Sequence, residues 1–330
     1  MDTIDIGVIG FGVMGRQHLR VLRGIDDFRV VGVCEPDPST ADQATRDNST
    51  LAVVPDIAAL VDAGIVAAVV ASPTAAHAGQ AEYLVERGIH VLVEKPVAAN
   101  IVEAARLRDV ARSHTACLLV GHVERFNPAV RVLKDFLRQG WLGQVLSLSA
   151  SRVGVGRPAI PSTNVVFDLA IHDVDVVRFL LEDAVRVIGA TGGSFPGNLQ
   201  EDYAHLLLAC GQATGAVEAN WITPRKRRKL FVTGTDGFAE LDYIRQEVRT
   251  YRGKTELVGD GADLYQCLSR TADPVSVPVG SSEPLQAELR HFAACIRGEE
   301  DPVVVLDEAI DALDCCDQAT RMIREARSGR

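Results

Sequence analysis

The first 121 residues alternate short apolar runs with segments of helical periodicity. IDIGVIG (4–10), RVVGVC (29–34), IVAAVVAS (65–72), HVLVEK (90–95) and ACLLVG (116–121) are near-continuous apolar runs, as expected of parallel strands covered on both faces. Between them the spacing predicts helices over about 13–23, 38–46, 55–63, 74–87 and 100–114. Such β–α alternation specifies an α/β domain with a doubly wound parallel sheet of the Rossmann type.

After Gly121 the rhythm changes. A helix is expected over about 127–139, a strand near 144–153, a loop GVGRPAIPSTN (154–164) and a helical stretch over about 165–181. From 185 to 252 the pattern becomes two-residue alternation: VRVIGATGG, YAHLLLAC, ATGAVEANWI, KLFVTGT, FAELDYI and EVRTYR, with turn signals between them. This predicts a mostly antiparallel sheet. A polar, Gly-rich stretch (253–282) precedes two helices at 284–298 and 306–327. At 330 residues the chain is long for one core. Two domains are therefore expected: 1–122, a Rossmann domain, and 123–330, an α+β domain.

Composition narrows the function classes. No apolar run reaches the roughly 18 residues of a membrane span, and the start MDTIDIGVIG reads as a strand rather than a signal peptide. A cytoplasmic protein without a membrane partner is expected. The net charge of −10 argues against nucleic acid, while leaving room for a few local cations to hold a small anion. None of the seven cysteines forms a C-x-x-C pair. Reduced core thiols, with no metal site, are expected.

Gly10-Phe11-Gly12-Val13-Met14-Gly15 is a G-x-G-x-x-G that closes a buried strand and opens a helix. Gly10 permits the tight turn, Gly12 the approach of a pyrophosphate, and Gly15 close helix–strand packing. The helix N-terminus then offers N–H donors to phosphate. Glu35, twenty residues after Gly15, can take the ribose hydroxyls and repels a 2′-phosphate, which favours NAD over NADP; Asp37 can share that role. Ser72-Pro73-Thr74 and Glu94-Lys95-Pro96 end strands at the ligand side of the sheet. By composition alone Lys95 reads as a solvated strand-end lysine, against the alternative of an amine aimed at the nicotinamide.

Asp168 and His172, four apart, share one face of a helix. The carboxylate can orient the imidazole for proton transfer, although a satisfied, half-buried histidine is the commoner fate. His18 and His77 read as mainly structural, with His77 also a candidate to line the cofactor pocket. The cation candidates are Arg125, Arg152 and the run Pro224–Lys229, represented by Arg225. Such a run is usually a solvated strand edge, but one or two members can grip a diphosphate.

Taken together, GFGVMG, Glu35, Ser-Pro-Thr-x-x-His (72–77), Glu94-Lys95-Pro96 and Asp168-x-x-x-His172 resemble the glucose–fructose oxidoreductase / inositol dehydrogenase (Gfo/Idh/MocA) family from residue 1 to about 320. The resemblance implies a C-terminal open sheet whose exposed face packs on another subunit, in a homodimer or homotetramer. It implies a Lys95–Pro96 bond that is often cis, and catalytic roles for Lys95, Asp168 and His172. The expected NAD contacts are Gly10, Phe11, Gly12, Val13, Met14, Gly15, Glu35, Ser72, Pro73, Thr74, His77, Glu94, Lys95 and Arg125. The expected substrate contacts are Lys95, Arg152, Asn164, Asp168, His172 and Arg225. The phrases GHVERFNPAV, DLAIHDVDVV and ANWITPRKRRKLFVTGTDG resemble a subgroup that oxidises the 3-hydroxyl of UDP-N-acetylglucosamine. Thr163-Asn164 departs from the small residues that relatives commonly carry there. The implied activity is NAD-dependent oxidation of a nucleotide-sugar hydroxyl. The alternatives are a ketosugar reductase using NAD(P)H, or a cofactor-binding sensor without chemistry.

Overall fold

The computed structural model describes residues 3–48, 50–156, 163–253 and 274–328. The chain divides into two compact units. One comprises Met1–Val123 with Glu283–Leu313, the other Glu124–Ser282 with Asp314–Arg330.

The first unit holds six parallel strands: β1 (Ile4–Ile9), β2 (Phe28–Cys34), β3 (Ala52–Val54), β4 (Ala67–Val70), β5 (His90–Glu94) and β6 (Leu118–Gly121). Their order is β3-β2-β1-β4-β5-β6. The apolar runs are the centre of this sheet: Ile6, Val8, Val69, Val91 and Val93 are fully buried. Strand order reverses between β1 and β4, and in open α/β sheets the crevice at that switch point takes ligands. The helices α1 (Val13–Leu22), α2 (Pro38–Asp47), α3 (Ile57–Asp62), α4 (Thr74–Val85) and α5 (Ile101–Arg112) fill the crossovers. Their starts are chemically marked. Asp37, Asp56 and Asn100 each accept a hydrogen bond from a first-turn N–H, satisfying donors that a helix leaves open. Asp37 is thereby committed as a cap rather than held ready for a ribose.

Two features depart from the sequence expectation. The edge strand β3 spans three residues and pairs with β2 alone, too short to register as an apolar run. The helix Pro284–Ile296, assigned from sequence to the second domain, belongs to the first unit. Its Leu285, Leu289, Phe292 and Ala293 join Ile4, Phe28 and Leu22 in one apolar cluster, with the Phe28 and Phe292 rings stacked at 6.4 Å. Chain order gives no warning of this return, because an amphipathic helix does not specify which sheet it covers.

The second unit is built on eight strands: β7 (Val145–Val153), β8 (Val185–Gly193), β9 (Tyr203–Cys210), β10 (Ala213–Asn220), β11 (Arg227–Gly234), β12 (Gly237–Asp242), β13 (Glu247–Arg252) and β14 (Val275–Val277). The order is β14-β13-β12-β11-β7-β10-β9-β8. Every pairing is antiparallel except β7 with β10. Alternation sorts the faces: Leu206, Leu208 and Val217 are buried, while His205, Leu207 and Ala216 are exposed. The helices α6 (Pro128–Arg138) and α7 (Ile171–Leu181) lie in this unit. β14 falls inside the stretch read as polar and irregular. Most of that stretch, 254–273, lies outside the described residues, as do 157–162 of the Gly/Pro loop.

Candidate functional site

In the first unit the glycine loop joins β1 to α1. Gly10 has φ +92°, a conformation open to glycine at little cost. A Cβ on Gly15 would lie 2.0 Å from the Gly10 carbonyl oxygen, whereas a Cβ on Gly12 would meet nothing within 4 Å. Gly15 is thus a packing glycine, and Gly12 presents bare backbone to open space. Val13, at the start of α1, is 79% exposed. This geometry fits a pyrophosphate, with first-turn N–H groups of α1 able to donate to it.

Glu35 follows β2 and reaches back to the loop. Its Oε2 accepts from the Phe11 N–H at 2.9 Å and its Oε1 from the Asp37 N–H at 3.0 Å. Each oxygen keeps a lone pair for a ribose hydroxyl. The expectation for Phe11 needs correction: its ring is buried, with Arg16 over it at 4.8 Å, and its N–H is spent on Glu35.

The ends of β4 and β5 are tied together by buried histidines. His77 Nδ1 lies 2.8 Å from the Pro96 carbonyl oxygen, and its Nε2 lies 2.7 Å from the Ser72 carbonyl oxygen. One buried ring thus bridges the loops that follow β4 and β5. His77 is 2% exposed; it clamps the two loops rather than lining a pocket. Glu94 is also turned inward. Its Oε1 meets His18 Nε2 at 2.7 Å and its Oε2 accepts the Lys95 N–H at 3.2 Å. Burial alone would raise the Glu94 pKa, but the His18 hydrogen bond and the fields of His18, Lys95 and His77 outweigh it, and the net shift is downward. The Glu94 carboxylate therefore positions the backbone of Lys95 instead of touching a cofactor. Lys95 itself is half-buried and precedes a cis peptide bond to Pro96. Ser72 Oγ is bonded to Gln80 at 2.6 Å, Pro73 is exposed, and Thr74 opens α4.

In the second unit Asp168 lies in a single π turn, Val166–Ala170, that runs into α7. The sequence reading expected uninterrupted α-helix. A π turn carries an extra residue, is costly, and concentrates at functional sites. Asp168 Oδ2 accepts from the indole N–H of Trp221 at 3.1 Å. Asp168 and His172 are both half-buried. Trp221 is 3% exposed; the sequence reading carried it inside the run ATGAVEANWI without singling it out, since no periodicity connects it to residue 168.

Three expected ligand contacts are structural. Arg152 is 1% exposed; its Nε and Nη2 bind Asp173 at 2.8 and 3.2 Å, and its Nη1 binds Glu124 at 2.8 Å. Burial opposes its charge, but Asp173 and Glu124 more than compensate and its pKa is raised. Arg125, also 1% exposed, holds Asp175 at 2.6 Å and lies over the Phe179 ring. Asn164 is buried and caps the helical turn: Oδ1 accepts from the N–H groups of Val166 and Phe167, and Nδ2 donates to Glu201 at 2.8 Å. Arg225, in the loop before β11, is exposed, as are Lys226 and Arg227 of the same basic run. Among the described residues no cluster of His, Cys, Asp and Glu could hold a metal ion, and no helix is long and apolar enough to cross a membrane.

Comparison with known proteins agrees with both halves. Residues 4–122 match the oxidoreductase family with an NAD-binding Rossmann fold, and residues 130–240 match the GFO/IDH/MocA C-terminal domain. The chain is 28% identical over 297 residues to a UDP-N-acetylglucosamine 3-dehydrogenase from Acidithiobacillus ferrooxidans, covering 90% of each chain. It is 30% identical over 268 residues to a myo-inositol dehydrogenase from Streptomyces leeuwenhoekii, covering 79% of this chain and 78% of that one. A solved structure of the Acidithiobacillus enzyme superposes with a TM-score of 0.83 at 22% identity, over 98% of this chain and 99% of that one. With an NAD-binding Rossmann domain and a C-terminal domain both matched, the chain belongs to the Gfo/Idh/MocA family of oxidoreductases, which act on sugar CH–OH groups.

Proposed function

We propose that this chain oxidises a nucleotide-sugar hydroxyl to a ketone with NAD, the 3-hydroxyl of UDP-N-acetylglucosamine being the first candidate. The observation that carries the chemistry is the Asp168–His172 turn, where a carboxylate anchored by Trp221 stands one helical turn before a half-buried imidazole. The choice of sugar is supported by the match to the Acidithiobacillus enzyme across 90% of both chains.

Bound NAD supplies the hydride acceptor. As hydride leaves carbon, the hydroxyl oxygen must lose its proton to a base. His172, oriented by Asp168, takes that proton, and the Lys95 ammonium stabilises the developing alkoxide. Gly12 offers its backbone to the dinucleotide, Gly10 and Gly15 shape the turn that allows it, and Val13 and Met14 lie beside it. Glu35 receives the ribose. Incubation with UDP-N-acetylglucosamine and NAD should give a product two hydrogens lighter by mass spectrometry, together with NADH. Turnover of another nucleotide sugar in its place refutes the sugar assignment.

Cofactor choice is testable at Glu35. Losing a hydrogen bond to a charged group weakens binding by roughly 10–100-fold. Glu35→Gln should weaken NAD by an amount within that range and narrow the NAD-over-NADP preference, measured by calorimetry. Unchanged preference removes Glu35 from the ribose. The reading also includes a homodimer or homotetramer through the open sheet face. Across that face Leu207, Ala216, Ser149 and Phe231 stand side by side in register, and Leu207 is 55% exposed.

A further inference from the structure

Strand register separates the members of the basic run. Lys229 lies on the open face with Glu240, and Arg227 binds Glu218 at 2.9 Å. Arg228 takes the opposite face, with buried Leu230 and Val232, directly across from Arg152 of β7. Two like charges in opposed positions of an antiparallel pair repel. Among the described residues, nearby carboxylates pair directly with only one of them, Arg152. Asp173 and Glu124 are bound to Arg152, and Asp168 is bound to Trp221.

Arg228 is half-buried, and among the described residues its side chain has no hydrogen-bond or ion-pair partner. Burial and then Arg152 pull its pKa down, opposed in part by the charges of Glu124, Asp173 and Asp168. A guanidinium partly withdrawn from water, with five donors uncommitted, is costly to keep. Its plane matches an oxyanion in bidentate fashion.

We infer that Arg228 is the anion-recognising residue of the substrate site beside Asp168, so that the substrate is a sugar carrying a phosphate or carboxylate rather than a neutral polyol. The inference rests on the assignment of Asp168 and His172 to that site. It replaces Arg225, an exposed member of the run, as the specificity-determining cation.

The test is calorimetry on the full chain in the presence of NAD, with UDP as the phosphate probe and glucuronate as the carboxylate probe. One probe should bind the wild type. Arg228→Gln should weaken it by roughly 10–100-fold, Arg228→Lys should recover part of the loss, and Arg225→Gln should change little. NAD affinity, unchanged in all three, reports intact folding. Equal binding by wild type and Arg228→Gln, or no binding of either probe to the wild type, overturns the inference. Kinetics separate this from the nucleotide-sugar reading. If Arg228→Gln oxidises UDP-N-acetylglucosamine with unaltered KM, Arg228 is wrong and the dehydrogenase reading survives. If the wild type oxidises no nucleotide sugar, yet glucuronate binding is lost in Arg228→Gln, Arg228 stands and the nucleotide falls.

Discussion

Lys95→Ala and His172→Ala each lower kcat by roughly 10²–10⁴, the usual range for losing an acid–base group, while NAD affinity stays close to that of the wild type. The logic is differential: in the proposed roles, holding the dinucleotide is not the main task of either group, and each acts when the hydroxyl gives up its proton and hydride together. Interactions made only in the transition state reduce kcat and kcat/KM alike, whereas uniform binding changes KM alone. Stopped-flow reduction of NAD with the oxidisable sugar measures the step directly. The pH profile divides the labour. Loss of the base removes the limb of the kcat profile that reports its deprotonation, and loss of the ammonium lowers the plateau while leaving that limb in place. Should both variants turn over at near wild-type rates, the assignment of the chemistry to these residues fails.

Glu94 and His77 sharpen that expectation. The strand end carrying Lys95 is fixed by Glu94 on His18 and by His77 on the Pro96 and Ser72 carbonyls. Their neighbourhood was visible in sequence as Glu-Lys-Pro and Ser-Pro-Thr-x-x-His, but their direction was not. A residue adjacent to the proposed catalytic lysine can point at ligand or core, and strand alternation alone does not decide it when both faces of the sheet are covered. The alternation was legible because buried parallel strands need unbroken apolar runs, and the glycine loop because Gly10 and Gly15 answer steric demands that no other residue meets. What stayed hidden was pairwise. Arg125, Arg152 and Asn164 each looked like a free polar group near the proposed chemistry, and each is consumed by a residue distant in sequence: Asp175, Asp173 and Glu201. The π turn was hidden for a related reason, since an α and a π turn carry the same apolar pattern over five residues. The return of Pro284–Ile296 to the first unit depends on Phe28 and Phe292 meeting across more than 260 positions, which periodicity does not encode.

Arg152→Met should destabilise the protein by about 3–5 kcal/mol, the cost of leaving buried charge without its partner. The size follows from stoichiometry. One guanidinium serves two carboxylates, Asp173 at 1% and Glu124 at 8% exposure, and Tyr243 packs against it with the ring centre 4.8 Å away. Removing the cation leaves two anions facing each other beside a phenol whose own ionisation is already suppressed, first by burial and then by Asp173. Neither carboxylate can regain water without opening the sheet from the helices. The expected readout is a fall in Tm on the order of 10 °C, with a matching drop in urea midpoint. A triple replacement, Arg152→Met with Asp173→Leu and Glu124→Leu, should recover much of the loss, because apolar substitutes for a whole buried network are often neutral or stabilising. The competing idea, that Arg152 binds substrate, predicts the reverse: unchanged stability and a raised KM. The two outcomes are far apart, and the contrast with Arg228, one strand away and lacking any such carboxylate partner, is the reason one arginine of the pair holds the fold while the other is left to meet a ligand.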